Sequence, residues 1–195
     1  MAATDTLPPN APIWLGPVCD ILLSVCILCW SVAYALIVSR GWHHKSYGMP
    51  LLAVAMNVSW ECVYAVYVTK GMWLEQFCCA IWLVLDFGII YTAVRNGPRE
   101  WKTSSPFVGR HIGPILALLT MIGFAGQLSF ATWFLSRPGV GHGDKAGKRW
   151  RGMEGYDVIE LGFWTGGTVQ LVLSASSLAM LLARGHSGAA GYDIW

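Results

Sequence analysis

Asn57-Val58-Ser59-Trp60-Glu61-Cys62-Val63-Tyr64 sets a carboxylic acid in the middle of an apolar run, and the fold follows from how that acid can be housed. From Met49 to Thr69 no other residue is charged. As one helix this run spans a bilayer, with Glu61 about 18 Å from the Met49 end at ~1.5 Å per residue, near the centre of a hydrocarbon layer about 30 Å thick. A carboxylate at mid-helix costs roughly 2.5–3.5 kcal/mol to insert, so the acid is expected to face protein or a cavity and to mark a functional site. Asn57, Glu61 and Tyr64 recur at i, i+4 and i+7, which gathers an amide, an acid and a phenol on one inward helical face.

Composition extends the same reading to the whole chain of 195 residues, of which 55% are hydrophobic and 12% charged. These values and the long apolar runs describe an all-α, polytopic transmembrane bundle of about five helices, occupying residues 1–195 as a single domain. The net charge of +2 and the dispersal of the basic residues among loops argue against a nucleic-acid partner. Six cysteines, at 19, 26, 29, 62, 78 and 79, lie in or beside apolar runs and read as small hydrophobes. Cys26 and Cys29 have redox-motif spacing but lack the βαβ surroundings of a thioredoxin site.

Along the chain, the lead-in holds Pro8, Pro9, Pro12 and Pro17 and no Lys or Arg, unlike a cleaved signal peptide, so the first helix is expected to serve as the insertion signal. Helices are predicted at about 18–39, 49–69, 77–94, 112–135 and 158–183. The sequon Asn57-Val58-Ser59 is inaccessible at mid-membrane. The third helix carries a second acid, Asp86, with Trp82 one turn before it. If helices two and three are antiparallel, Glu61 and Asp86 lie about 18 and 12 Å from the same membrane face at ~1.5 Å per residue, and could share one cavity.

Gln127 is the most polar member of the uncharged fourth helix. The glycine-rich stretch from Gly139 to Gly155 shows no pattern that demands structure. Gly162 and Gly166 form a small-xxx-small pair suited to close helix packing. The chain ends on Tyr192-Asp193-Ile194-Trp195. No internal repeat points to an inverted-repeat transporter. Five spans put the termini on opposite sides, and the basic residues before helices two and four, with Arg184, place the N-terminus outside or in the lumen. The basic residues between helices four and five run against that orientation.

Two acids amid many aromatic rings suit a reaction that begins with proton donation and passes through positive charge. Low-dielectric surroundings disfavour a carboxylate, and two adjacent carboxyls resist ionising together, so Glu61 is expected to act as a general acid. Trp30, Tyr34, Trp60, Tyr64, Trp82, Tyr91, Phe130, Trp133 and Trp164 offer ring faces, each able to stabilise a cation by ~0.5–2 kcal/mol, although such residues are also common structural elements of bundles and interfaces. Asp20, Asp157 and Glu160 sit at helix starts and read as dipole partners. His43, His44, His111, His142 and His186 lack metal-ligand spacing, and no metal or other cofactor is expected. The chain has no Asp-Asp-x-x-Asp cluster, P-loop, Gly-x-Ser-x-Gly or His-Glu-x-x-His motif, which disfavours diphosphate ionisation, nucleotide hydrolysis and zinc proteolysis.

Lys45-Ser46-Tyr47-Gly48-Met49, the Asn57-to-Tyr64 element, Tyr91-Thr92-Ala93-Val94-Arg95 and Pro98-Arg99-Glu100-Trp101 together resemble the fungal integral-membrane terpene cyclases of paspaline and meroterpenoid pathways. The similarity runs from the first helix through the fifth, apart from the glycine-rich loop, which looks inserted. The resemblance implies a bundle of about seven helices that cyclises epoxidised polyprenyl chains by protonating the epoxide, without metal, and its acid matches Glu61. It also implies a second acid in a last helix that this chain does not reach. A shortened or incomplete cyclase, or a compact form in which Asp86 does the work of that acid, is therefore expected. Short relatives in polyene-polyketide pathways imply epoxide opening by water or an internal hydroxyl.

The expected function is thus a multi-pass enzyme, in the endoplasmic reticulum, that opens a lipophilic polyprenyl or polyene epoxide with Glu61 as proton donor. Asp86 would tune it, orient the nucleophile or accept the final proton. Asn57, Trp60, Tyr64, Trp82 and Gln127 would contact substrate, Asn57 by hydrogen bonding. Partners would be the lipophilic substrate, membrane lipids and, functionally, an upstream epoxidase. A proton-coupled transporter and a structural subunit are the rival readings, since intramembrane acids suit both.

Overall fold

The computed structural model describes residues 5–7, 10–191 and 194. Pro8 and Pro9 of the lead-in and Tyr192, Asp193 and Trp195 of the tail lie outside the described residues. The chain forms α1 (Leu15–His44), α2 (Leu51–Val63), a π-helical turn (Tyr64–Val68), α3 (Trp73–Glu100), a short α4 (Pro106–Arg110), α5 (Ile112–Phe134), a two-stranded hairpin of β1 (Arg149–Trp150) and β2 (Met153–Glu154), and α6 (Val158–Arg184). Five helices, counting α2 with its π turn as one, are long and apolar enough to cross a membrane. The all-α bundle expected from hydropathy is the fold observed. α3 runs four residues earlier and six later than the predicted stretch, because its polar ends continue past the apolar centre.

α2 is the axis of the bundle. It packs on α3, α5 and α6, while α1 packs on α3. Of the most apolar stretch of each helix, 56% of residues are buried in α2, against 28% in α3 and 11% in α1, α5 and α6. The outer helices expose Leu22, Leu28, Phe87, Ile122 and Leu182, a surface that only hydrocarbon solvates without penalty. Small residues let α2 and α5 approach: a Cβ on Gly123 would stand 2.6 Å from the Ser59 hydroxyl, which bonds the carbonyls of Ala55 at 2.6 Å and Thr120 at 2.9 Å. A Cβ on Gly162 would stand 3.7 Å from the Tyr64 hydroxyl and one on Gly166 3.7 Å from the Trp60 ring, so the small pair does face α2 and its π turn.

The end of α2 is finished by the loop that the sequence left without structure. The π turn closes with Thr69 donating its backbone N–H to Tyr64 at 3.0 Å, and it leaves carbonyls without intrahelical partners. Gln76 takes up Ala65 at 2.8 Å, Arg151 takes up Tyr67 at 2.8 Å, and the Trp150 indole takes up Val68 at 2.8 Å. Trp150, 5% exposed, thereby becomes part of a core with Val63, Tyr64 and Val68.

Ion pairs fasten the same loop to α6. Asp157 accepts from the Glu160 N–H at 3.0 Å as the helix cap, and Lys145 pairs with Asp157 at 3.4 Å and with Glu160. Glu160 therefore does more than meet a helix dipole. It also accepts the His142 N–H at 3.0 Å. Burial alone would depress the Lys145 ammonium, but its hydrogen bond to Glu160 and the Asp157 and Glu160 charges outweigh this and hold it above the ordinary lysine range. A cation raised in the folded state contributes stability that is complete at neutral pH and is lost as pH climbs through its folded value. Lys145→Met should lower stability by about 1–3 kcal/mol at neutral pH. The deficit should shrink at strongly alkaline pH, as thermal unfolding in detergent at two pH values would show.

Candidate active site

The two intramembrane acids meet at the α2–α3 contact. Glu61 is 2% exposed and Asp86 fully buried, and their side chains lie within hydrogen-bonding reach of each other. No protein donor reaches Glu61 Oε2 or either Asp86 oxygen among the described residues. Two carboxyl groups can bond to each other only through a proton that one of them holds, so the pair and its proton form one unit. The two acids expected to share a cavity are brought together, both buried. They touch each other and line none of the open hollows described below.

Tyr34 of α1 completes the cluster. Its hydroxyl donates to Glu61 Oε1 at 3.1 Å and accepts from the Asn57 side-chain amide, which also lies 3.8 Å from the Met49 sulfur. Asn57 and Glu61 thus share a face, one turn apart on α2, and the phenol joins them. Trp30 meets the Tyr34 ring edge-on at 5.7 Å. Tyr34 entered the sequence reading only as one of many rings. The missed signal was a phenolic hydroxyl at the middle of an otherwise uncharged span.

The remaining residues expected to contact substrate fall elsewhere. Tyr64 turns to α6, where its hydroxyl lies 2.8 Å from Thr165 Oγ1 and its ring stacks on Trp60 at 4.1 Å. Trp60 Nε1 donates to the same oxygen at 3.0 Å. Because Thr165 gives its own proton to the Leu161 carbonyl at 2.7 Å, it accepts from both rings. Trp82 donates to Ser31 at 3.1 Å and joins α3 to α1. Gln127 lines a groove of about 400 Å³ between α5 and α6, with Phe130, Trp164 and Thr165.

A second crevice, of about 280 Å³, opens between α1 and α6 and is lined by Cys29, Trp30, Ala33, Met49, Gln170 and Leu173 among others. Trp30 and Met49 are its wall nearest the acids, since they touch Tyr34 and Asn57. Among the described residues no three His, Cys, Asp or Glu side chains converge as a metal set.

Comparison with known proteins gives one consistent kinship. Residues 3–195 match the family described as Pyr4-like transmembrane terpene cyclases. Terpene cyclase ascF of Acremonium egyptiacum is 35% identical over 96% of this chain and 65% of its own length. The Pyr4-family terpene cyclase mfmH of Annulohypoxylon moriforme is 29% identical over 94% of this chain and 66% of its own. Terpene cyclase subB of Metarhizium robertsii is 29% identical over 93% of this chain and 90% of its own. The chain therefore spans somewhat less than two thirds of the length of the first two. No solved structure matches it.

Proposed function

The chain belongs to the Pyr4-like transmembrane terpene cyclases, and from that premise we propose that it is a membrane-bound cyclase that opens a lipophilic epoxide by general acid catalysis. The observation that carries the reading is the buried Glu61–Asp86 pair, with three carboxyl oxygens that no donor among the described residues reaches. Tyr34 occupies Oε1, which leaves Glu61 Oε2 as the oxygen that holds or passes the shared proton. Transfer of that proton to the epoxide oxygen breaks one C–O bond as positive charge develops on the carbon. An internal alkene or hydroxyl then closes the ring, and the proton released at termination returns to the acid pair. The Tyr34 hydroxyl, which donates to Oε1, stabilises the conjugate base of Glu61, and Asp86 is the natural acceptor of the returning proton. Asn57 orients the phenol.

The α1–α6 crevice is the proposed seat of the chain-like substrate. Its wall of Trp30 and Met49 separates that seat from the acids, and methionine, with three rotatable bonds, is the side chain suited to move aside. Met49→Ala is expected to lower KM for bulky epoxides and to change the product ratio, read by chromatography of the cyclised isomers. An unchanged ratio and KM would place the substrate elsewhere. Residence in the endoplasmic reticulum and supply of substrate by an upstream epoxidase belong to the same proposal.

Membranes carrying the chain, incubated with epoxidised polyprenyl and polyene substrates, test it. Cyclisation yields a product of unchanged mass, while a product heavier by one water marks the hydrolase alternative on polyketide epoxides. Substrate that crosses reconstituted vesicles unaltered would favour a proton-coupled transporter.

A further inference from the structure

α1, α3 and α6 all end at the face where the α1–α2 link lies, and there they enclose a polar hollow of about 600 Å³. Arg40, Lys45, Ser46, Arg99 and Glu100 line it, with His186 to Gly188 closing the far side. Its lining is mainly basic. Among the described residues Glu100 is answered by Arg184 at 3.7 Å, and Lys45 and Arg99 are further cations around the hollow. Cations at helix C-termini offset the helix dipoles, and that accounts for part of this basic character. It does not account for Ser46, which is 5% exposed, lines the hollow and has a hydroxyl with no hydrogen-bond partner among the described residues.

An apolar groove of about 350 Å³ adjoins the hollow and shares His186 and Ser187 with it. It runs toward the membrane along Ser174, Leu178 and Leu181 of α6. A basic cup continuous with an apolar channel has the form of an amphiphile with an anionic head. The basic character of this end is also what the positive-inside rule puts on the cytoplasmic side, where anionic lipids are concentrated.

We propose that this composite site binds an anionic membrane glycerophospholipid, its phosphate group among Lys45, Ser46 and Arg99 and one acyl chain in the α6 groove. Phosphate supplies the acceptor oxygen that the Ser46 hydroxyl lacks among the described residues, and its charge suits Lys45 and Arg99. The site is separate from the acid pair and does not depend on the cyclase reading.

The test is lipid retention by the purified full chain, measured by native mass spectrometry from mixed micelles of phosphatidic acid and phosphatidylcholine. One molecule of phosphatidic acid should be retained in preference to phosphatidylcholine. Lys45→Gln and Arg99→Gln should each weaken retention about five-fold, the effect of one basic residue at an anionic surface. Ser46→Ala should weaken it with the charge unchanged, while Lys102→Gln and Arg110→Gln, outside the hollow, should not. Equal retention of phosphatidylcholine, or equal losses in the Lys102 and Arg110 variants, would overturn the proposal. Displacement of the lipid by inorganic phosphate alone at matched concentration would show a free-anion site and overturn the lipid assignment.

Discussion

Glu61→Gln is expected to lower the rate of epoxide opening by about 10²- to 10⁴-fold, the range that a positioned general acid contributes. The substitution is nearly isosteric. The glutamine oxygen can still accept from Tyr34, and its amide can donate to Asp86, so the buried contacts persist while the transferable proton is gone. Thermal stability in detergent should therefore stay close to wild type. Asp86→Asn keeps the Glu61 proton and should cost less. Because the two groups act as a unit, the double variant should be no worse than Glu61→Gln alone. A Glu61→Gln protein that turns over normally would leave the acid pair a structural joint between α2 and α3.

Trp150→Ala carries the largest expected effect on folding. The ring is buried among Val63, Tyr64 and Val68, meets Tyr67 at 5.7 Å and Tyr156 at 5.9 Å, and lies under Arg151 at 4.3 Å. Truncating a buried tryptophan leaves a cavity and costs about 3–5 kcal/mol. It also orphans the Val68 carbonyl at the π turn. Trp150→Phe should restore much of the packing but not the N–H, leaving a deficit of about 1 kcal/mol. The comparison is read from thermal unfolding of the purified chain. A Trp150→Ala loss below about 0.5 kcal/mol, typical of a surface change, would mean that the loop does not finish α2.

The bundle was legible because each span is an apolar run broken by charge, and membrane burial leaves a backbone little choice but helix. Glu61 was legible for the same reason, as the single charge between Met49 and Thr69. Its meeting with Asp86 was legible as a depth, since rise per residue in antiparallel helices fixes height without fixing which faces meet. Tyr34 was not, because a phenol on an apolar helix reads equally as an interface anchor. Tyr64 has the right helical period to join Asn57 and Glu61, yet it opens the π turn and its hydroxyl bonds Thr165 of α6 instead. The Lys145–Asp157–Glu160 joint was hidden because a returning loop, without any periodicity, brings those charges together.

In the proposed reaction Glu61 and Asp86 hold one proton between them for delivery to the epoxide. A difference infrared spectrum between the wild-type chain and Glu61→Gln, recorded in membranes at neutral pH, reads that proton in the carboxyl region. A neutral carboxylic C=O band is expected in the wild type, lost or displaced in the variant and changed when an epoxide substrate is added. Carboxylate bands alone, unchanged by substrate, would contradict it.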